Sequence, residues 1–320
     1  MTPIYLDNNA TTRIDPAVAE AMHACHLAGW VNPASQHQLG QASRRVLERA
    51  RDGVAALLGA DTSGRVSDRL IWTSGGTEAN NLALFGLVGP TPGHLLVSSL
   101  EHPSVIATAD ELARRGYEVE RIAATSDGVV DLDDLRRRLR RDTRLVSVML
   151  ANNETGVIQP VGDVVRICGE FGVRVHCDAV QAVGKIPVNF RTLGVAAMSV
   201  TAHKLHGPVG IGALLLRPDL ALAPQLFGGF QQGGMRPGTE AIALAVGFHK
   251  ALEIWAAEAG QRRLRLQQLR DDFERQLKAE LPDAVVHGAA VARLPHVTNI
   301  SFTGLDRQPM LLALDMAGIA

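Results

Sequence analysis

Apolar and polar positions along the chain follow two alternating rhythms. Short apolar or alternating runs at residues 70–73, 94–98, 145–150, 173–177, 197–201 and 211–216 predict strands. Between them lie stretches of helical spacing. Asp15-Pro16 is a helix start, and residues 41–58 form a longer helix that Gly59 stops. From 240 to 281 the pattern is helical with a break near Gly260, and Leu266, Leu269, Phe273 and Leu277 make one apolar face. A final strand at 297–302 precedes a helix opening near Gln308. Strands alternating with helices predict α/β architecture with a largely parallel sheet flanked by helices.

A chain of 320 residues exceeds one simple core. The expected division is an N-terminal arm (1–15) packing with a small domain, a large domain (16–255), and the start of a smaller C-terminal α+β domain (256–320). The pattern stops just after the last predicted helix, so the small domain reads as incomplete. No repeat, low-complexity tract or linker interrupts the chain.

Composition narrows the class. With 46% hydrophobic and 20% charged residues and a net charge of −1, no global field favours nucleic acid or an anionic membrane. Arg136, Arg137, Arg138, Arg140 and Arg141 follow Asp133 and Asp134 on a helical pattern, an order that suits the helix dipole and a solvated face. Three scattered cysteines, Cys25, Cys168 and Cys177, make no disulfide framework. Without a signal peptide or a membrane-length apolar run, the expected location is a reducing cytoplasm.

Five local signals carry chemistry, each with an ordinary alternative. Residues 73–78, Thr-Ser-Gly-Gly-Thr-Glu, follow a strand and open a helix; they suit an anion at the helix N-terminus or simply a turn. Glu101-His102 ends the next strand, where an imidazole can stack on a ring, relay protons or do neither. Asn152 to Gly156 offers amide donors or a plain turn. Asp178, with Gln181 nearby, ends an apolar strand, where a carboxylate needs a cation such as a pyridinium or else caps a helix. In residues 199–207, Lys204 lies between two strands, and a lysine held among apolar groups makes a competent Schiff-base nucleophile. A metal at His203 and His206, or at His23, Cys25 and His26, lacks the further ligands such sites need. Together the signals supply an anion cradle, a stacking group, amide donors, a pyridinium partner and a lysine, each at a strand end where open α/β sheets bind ligands.

These segments, with Tyr5 to Thr12, Asn32 to His37 and Gly233 to Thr239, resemble the class V aminotransferases of pyridoxal-5′-phosphate (PLP) fold type I, and among them the cysteine desulfurases. The resemblance covers essentially the whole chain. It implies PLP as cofactor, with Lys204 attaching it, Asp178 facing its ring nitrogen, His102 stacking and Gln181 donating to its phenolic oxygen. Gly76, Thr77, Thr201 and His203 would hold the phosphate, and Asn153 would position cofactor and substrate. Thr239 would reach the partner subunit's phosphate site, implying a homodimer.

The implied reaction takes sulfur from L-cysteine, leaving alanine and an enzyme persulfide for a sulfur-acceptor or iron–sulfur scaffold protein. Lys204 would remove the α-proton and His102 would relay protons. Two departures stand out. Phe230 and Gln232 occupy positions where the family commonly has glycine and glutamate, altering a turn or subunit contact. The family's persulfide cysteine and carboxylate-binding arginine fall beyond Ala320, so the chain by itself is expected to be inactive. Related readings are a selenocysteine lyase, a carbon–sulfur lyase, or a non-catalytic PLP-binding scaffold.

Overall fold

The computed structural model describes residues 3–320, so the first two residues of the expected arm lie outside it. Two helices come first, α1 (Pro16–Leu27) and α2 (Gln38–Leu57). Strands and helices then alternate: β1 (Arg69–Thr73), α3 (Gly76–Leu87), β2 (His94–Ser98), α4 (Pro103–Arg114), β3 (Glu118–Ile122) and α5 (Leu132–Arg138). They continue as β4 (Thr143–Ser147), α6 (Val161–Gly169), β5 (Arg174–Asp178), α7 (Phe190–Leu193), β6 (Ala197–Thr201) and β7 (Gly212–Leu216). A 3-10 turn at Gln231–Gly234 leads to α8 (Ile242–Glu280), β8 (Val285–Val286), β9 (Ile300–Ser301) and α9 (Arg307–Met316).

The main sheet has seven strands in the order β1-β7-β6-β5-β4-β2-β3. All pairings are parallel except those of β7, which runs antiparallel to both neighbours. Strand alternation divides the core into two layers. Leu70, Trp72, Val146, Met198, Val200 and Leu215 face α1, α2, α6 and the first half of α8. Ile71, Leu95, Val97, Leu145, Leu214 and Leu216 face α3 and α4. Helices thus cover both faces, and the strand ends remain the open place for a ligand.

Several sequence expectations shift. β3 gave no strong apolar signal because it is an edge strand: Glu118 is exposed and Glu120 half-buried, and they pair with Arg140 and Arg138. The arginine-rich helix ends at Arg138, and Leu139 is extended, so Arg140 and Arg141 lie outside it. Arg136 and Arg138 bind Glu170 and Asp134 at 2.9 and 2.7 Å, a solvated ion-paired face as expected. α8 runs unbroken for 39 residues, since an exposed glycine costs a helix only about 1 kcal/mol. Its expected apolar face is rotated: Leu269 and Phe273 are exposed, while Arg270 and Glu274 turn inwards. Arg293 grips Glu274 through bonds of 2.7 and 2.8 Å, and Arg270 donates to the Leu294 carbonyl at 2.9 Å. The last predicted strand contracts to the two residues of β9, paired with β8.

Two further contacts bear on the ends of the fold. Ile4 bridges Ile319, and the Leu6 N–H donates to the Ala320 carbonyl at 2.6 Å. At the outer edge of β1, Gln232 stands in for a strand: its amide oxygen accepts the Trp72 N–H at 2.6 Å and its nitrogen donates to the Trp72 carbonyl at 3.0 Å. Gln232 therefore protects an open strand edge. Phe230 is 90% exposed. Among the described residues no helix is long and apolar enough to cross a membrane.

Candidate active site

Asp178, the last residue of β5, is buried, and among the described residues it accepts two hydrogen bonds: Oδ1 from the Val180 N–H at 2.9 Å and Oδ2 from Asn80 Nδ2 at 2.7 Å. Burial raises its carboxyl above the usual range, and the hydrogen bonds from Val180 and Asn80, then the charge of Lys204, oppose that rise. Glu101 is buried close by. Desolvation, then the charge of Asp178, push its carboxyl well above normal, and its only donor is the Met149 N–H at 2.6 Å. The member that accepts more hydrogen bonds keeps the charge, so Asp178 holds the negative charge and Glu101 the proton.

His102 caps α4, with Nδ1 accepting the Ser104 N–H at 3.1 Å and lying 2.8 Å from Ser104 Oγ. Nδ1 is therefore the unprotonated nitrogen, and the ring proton sits on Nε2. Asn80 Nδ2 also donates to Ser104 Oγ at 2.9 Å, which joins His102 to Asp178 through two buried side chains.

Lys204 sits on the turn between β6 and β7. Its ammonium donates to the carbonyls of Asn9 and Ala10, the latter at 2.7 Å. Burial lowers its pKa, and Asp178 and Asp7 work against that. His203 Nδ1 lies 3.1 Å from Thr11 Oγ1, and the Thr201 hydroxyl donates to the Ile211 carbonyl at 3.0 Å. Gln181 donates to the Asn9 carbonyl at 3.1 Å.

These groups surround one cavity of about 200 Å³, lined by Gly76, Thr77, His102, Asn153, Asp178, Gln181, Thr201, His203 and Lys204 together with Asn80, Ser104 and Met149. Thr239 does not line it and is exposed on a separate loop. Of the paired amides, Asn152 makes a turn by accepting the Glu154 and Thr155 N–H groups, while Asn153 faces the cavity. Sequence reasoning missed Asn80, although it lies one helical turn beyond Gly76 and so on the same face. It also missed Asn9, whose side chain bridges the Asn153 carbonyl and His296 Nε2, because the contact spans the length of the chain.

The cavity has the donors that PLP requires. α3 lacks a side-chain cap at Gly75, which leaves its first N–H groups open to an anion. Among the described residues Asp178 has no ion-pair partner, and a protonated ring nitrogen would supply one. Asn80 Oδ1 is buried without a partner. A Cβ at Gly76 would lie 2.8 Å from Val180 Cγ2, so glycine keeps the cradle open.

The three cysteines lie elsewhere. All are buried, and burial pushes the Cys168 thiol to about 12 and those of Cys25 and Cys177 upwards. No group of three or more metal-ligating side chains is assembled among the described residues.

A fully wrapped sheet with an anion cradle, buried carboxylate and lysine at its strand ends is the arrangement of a PLP-dependent enzyme of fold type I. The chain belongs to the family described as Aminotransferase class-V, whose profile matches residues 4–320. It is 40% identical to a cysteine desulfurase of Nostoc sp., over the whole chain and 79% of that protein. The structure of a NifS-like protein from Rickettsia africae superposes with a TM-score of 0.92 at 31% identity, covering 99% of this chain and 86% of that one. SspA, solved in complex with cysteine, superposes with a TM-score of 0.85 at 28% identity, covering 99% and 88%.

Proposed function

We propose that this protein is a PLP-dependent cysteine desulfurase, taking sulfur from L-cysteine and leaving L-alanine. The observation that carries this is the meeting of Lys204, Asp178 and His102 in one cavity, in a chain 40% identical to a cysteine desulfurase along its full length.

Gly76, Thr77, Thr201 and His203 would hold the phosphate, His102 would stack on the ring, and Gln181 would donate to its phenolic oxygen. Bound PLP supplies an electron sink for the pair released when the substrate α-proton leaves. Asp178 keeps that sink protonated by remaining anionic, helped by two donors and by Glu101 holding its own proton. Lys204 would hold the cofactor, and its free amine would take the α-proton; burial favours its neutral form. His102 carries its proton on Nε2 and can pass it to the departing product, since Ser104 occupies Nδ1. Asn153 orients the substrate. The sulfur-accepting thiolate is none of the three buried cysteines.

Thr239, exposed with Phe227 and Phe230 on the loop before α8, would complete the partner's phosphate site in a homodimer. The sulfur would pass to an acceptor or iron–sulfur scaffold protein, and free thiols suit a reducing cytoplasm.

The test is exchange of the L-cysteine α-hydrogen for solvent deuterium, followed by NMR with PLP-loaded protein. It needs only the cofactor site and not the sulfur acceptor. Exchange abolished by Lys204→Ala is expected. A wild-type protein that binds PLP yet exchanges nothing would overturn the assignment and favour a non-catalytic scaffold.

A further inference from the structure

Beneath the Lys204 turn lies a second lysine that the proposed reaction does not use. Lys185 is 7% exposed, and among the described residues its ammonium has no carboxylate partner. Among the described residues it makes one hydrogen bond, to the Lys204 carbonyl at 2.8 Å. The approach is built into the backbone. Gly184 is left-handed (φ +78°), and a Cβ there would lie 2.4 Å from Leu205 Cβ, so the two turns pack directly on each other. The Lys204 turn is itself constrained, because His206 occupies the left-handed region at φ 63°. Its other ties come from the N-terminal arm: Thr12 donates twice to the His203 carbonyl and accepts the His206 N–H at 2.7 Å. Lys185 alone reaches the carbonyl of Lys204.

A buried, unpaired ammonium is a poor device for stability alone, since an apolar side chain of similar length would avoid the desolvation. We propose that Lys185 is a positioning residue for Lys204, holding its turn by the carbonyl and keeping a second positive charge beneath its amine. The inference rests on the role proposed above for Lys204. Burial, with Arg262 and Lys204, lowers Lys185 to about 8, so at pH 7 it is still mostly charged. The titratable groups around it are Lys204, His206, Arg262, His296 and Glu258, and Glu258 is ion-paired to Arg262 rather than to Lys185. His206 is lowered by burial, and burial brings His296 to about 3, so both are neutral at pH 7. The nearby charge on Lys185 therefore favours loss of a proton from Lys204, against the pull of Asp178 and Asp7.

The test measures Lys204 itself. Cofactor-free protein is acylated over a range of pH, and modification of Lys204 is followed by peptide mass spectrometry. The pH midpoint of the cofactor absorbance band is recorded in the PLP-loaded protein. Lys185→Met should raise the Lys204 midpoint by about one pH unit, leaving about tenfold less reactive amine at neutral pH. Lys185→Gln, which keeps a donor but no charge, should raise it similarly while retaining more of the wild-type melting temperature. Lys185→Arg should restore both. If Lys185→Met does not fold, the glutamine variant decides. Unchanged Lys204 midpoints with altered melting temperatures would make Lys185 merely structural and overturn the proposal. Retention of covalent PLP by Lys204→Ala would instead refute the role of Lys204, a distinguishable failure.

Discussion

Adding one methyl group at Gly212 should damage the cofactor site from behind. This glycine opens β7 between two backbones. A Cβ there would lie 2.7 Å from the Val200 carbonyl oxygen and 2.7 and 2.8 Å from the carbonyl carbon and Cα of Gly75. Ordinary contact begins near 3.4 Å, so something must move by roughly 0.7 Å. Val200 is fixed in the middle of the sheet, paired to Ala213. The Gly75 loop yields instead, and it leads directly into the first turn of α3. Overpacking of this kind costs about 1–3 kcal/mol, a real part of a folding margin of roughly 5–15 kcal/mol. A shift of that size in the anion-binding N–H groups should raise the PLP dissociation constant by about 10–100-fold, or ~1.4–2.8 kcal/mol. Denaturant unfolding of cofactor-free Gly212→Ala measures the first effect, and fluorescence titration with PLP the second. Gly75→Ala is the control for stability, because a Cβ there meets nothing within 4 Å and its backbone is extended. The reasoning fails if Gly212→Ala is as stable as wild type, or if Gly75→Ala is equally destabilised.

Asp178→Asn should still bind PLP through the phosphate contacts, while α-hydrogen exchange of L-cysteine, followed by NMR, falls about 10²–10³-fold because an amide cannot keep the ring nitrogen protonated. His296 is held to about 3 by burial, against an ordinary value near 6.5. A lowered histidine stabilises the fold fully above pH 6.5 and loses that contribution as pH falls towards 3, on the order of a few kcal/mol in all. The stability difference between wild type and His296→Gln, from denaturant midpoints at pH 4–7, should therefore shrink as the pH is lowered.

The α/β alternation was legible because each inner strand is buried on both faces and so reads as a continuous apolar run; residues 197–201 match β6 residue for residue. β3 escaped because an edge strand carrying Glu118 and Glu120 resembles a surface loop. The reversal of β7 was invisible, since apolarity alone does not fix strand direction. Cavity residues adjoining a strand end, such as Asp178 and Lys204, were readable from that position. Asn9 and Lys185 were not: each side chain donates to the backbone carbonyl of another segment, Asn153 and Lys204 respectively, contacts that leave no pattern in neighbouring residues.

The placement of β7 also orders events during synthesis. β1 is hydrogen-bonded to no strand but β7, and Thr73 waits for Gly212, about 140 residues later. At roughly 5–20 residues per second, a nascent chain spends on the order of ten seconds with that strand unpaired. The segment carrying Gly76 and Thr77 cannot take its final place until the chain has emerged past Lys204. The anion cradle and the lysine are thus completed together and late, so an unfinished chain would present neither half of the site in working order to free cofactor.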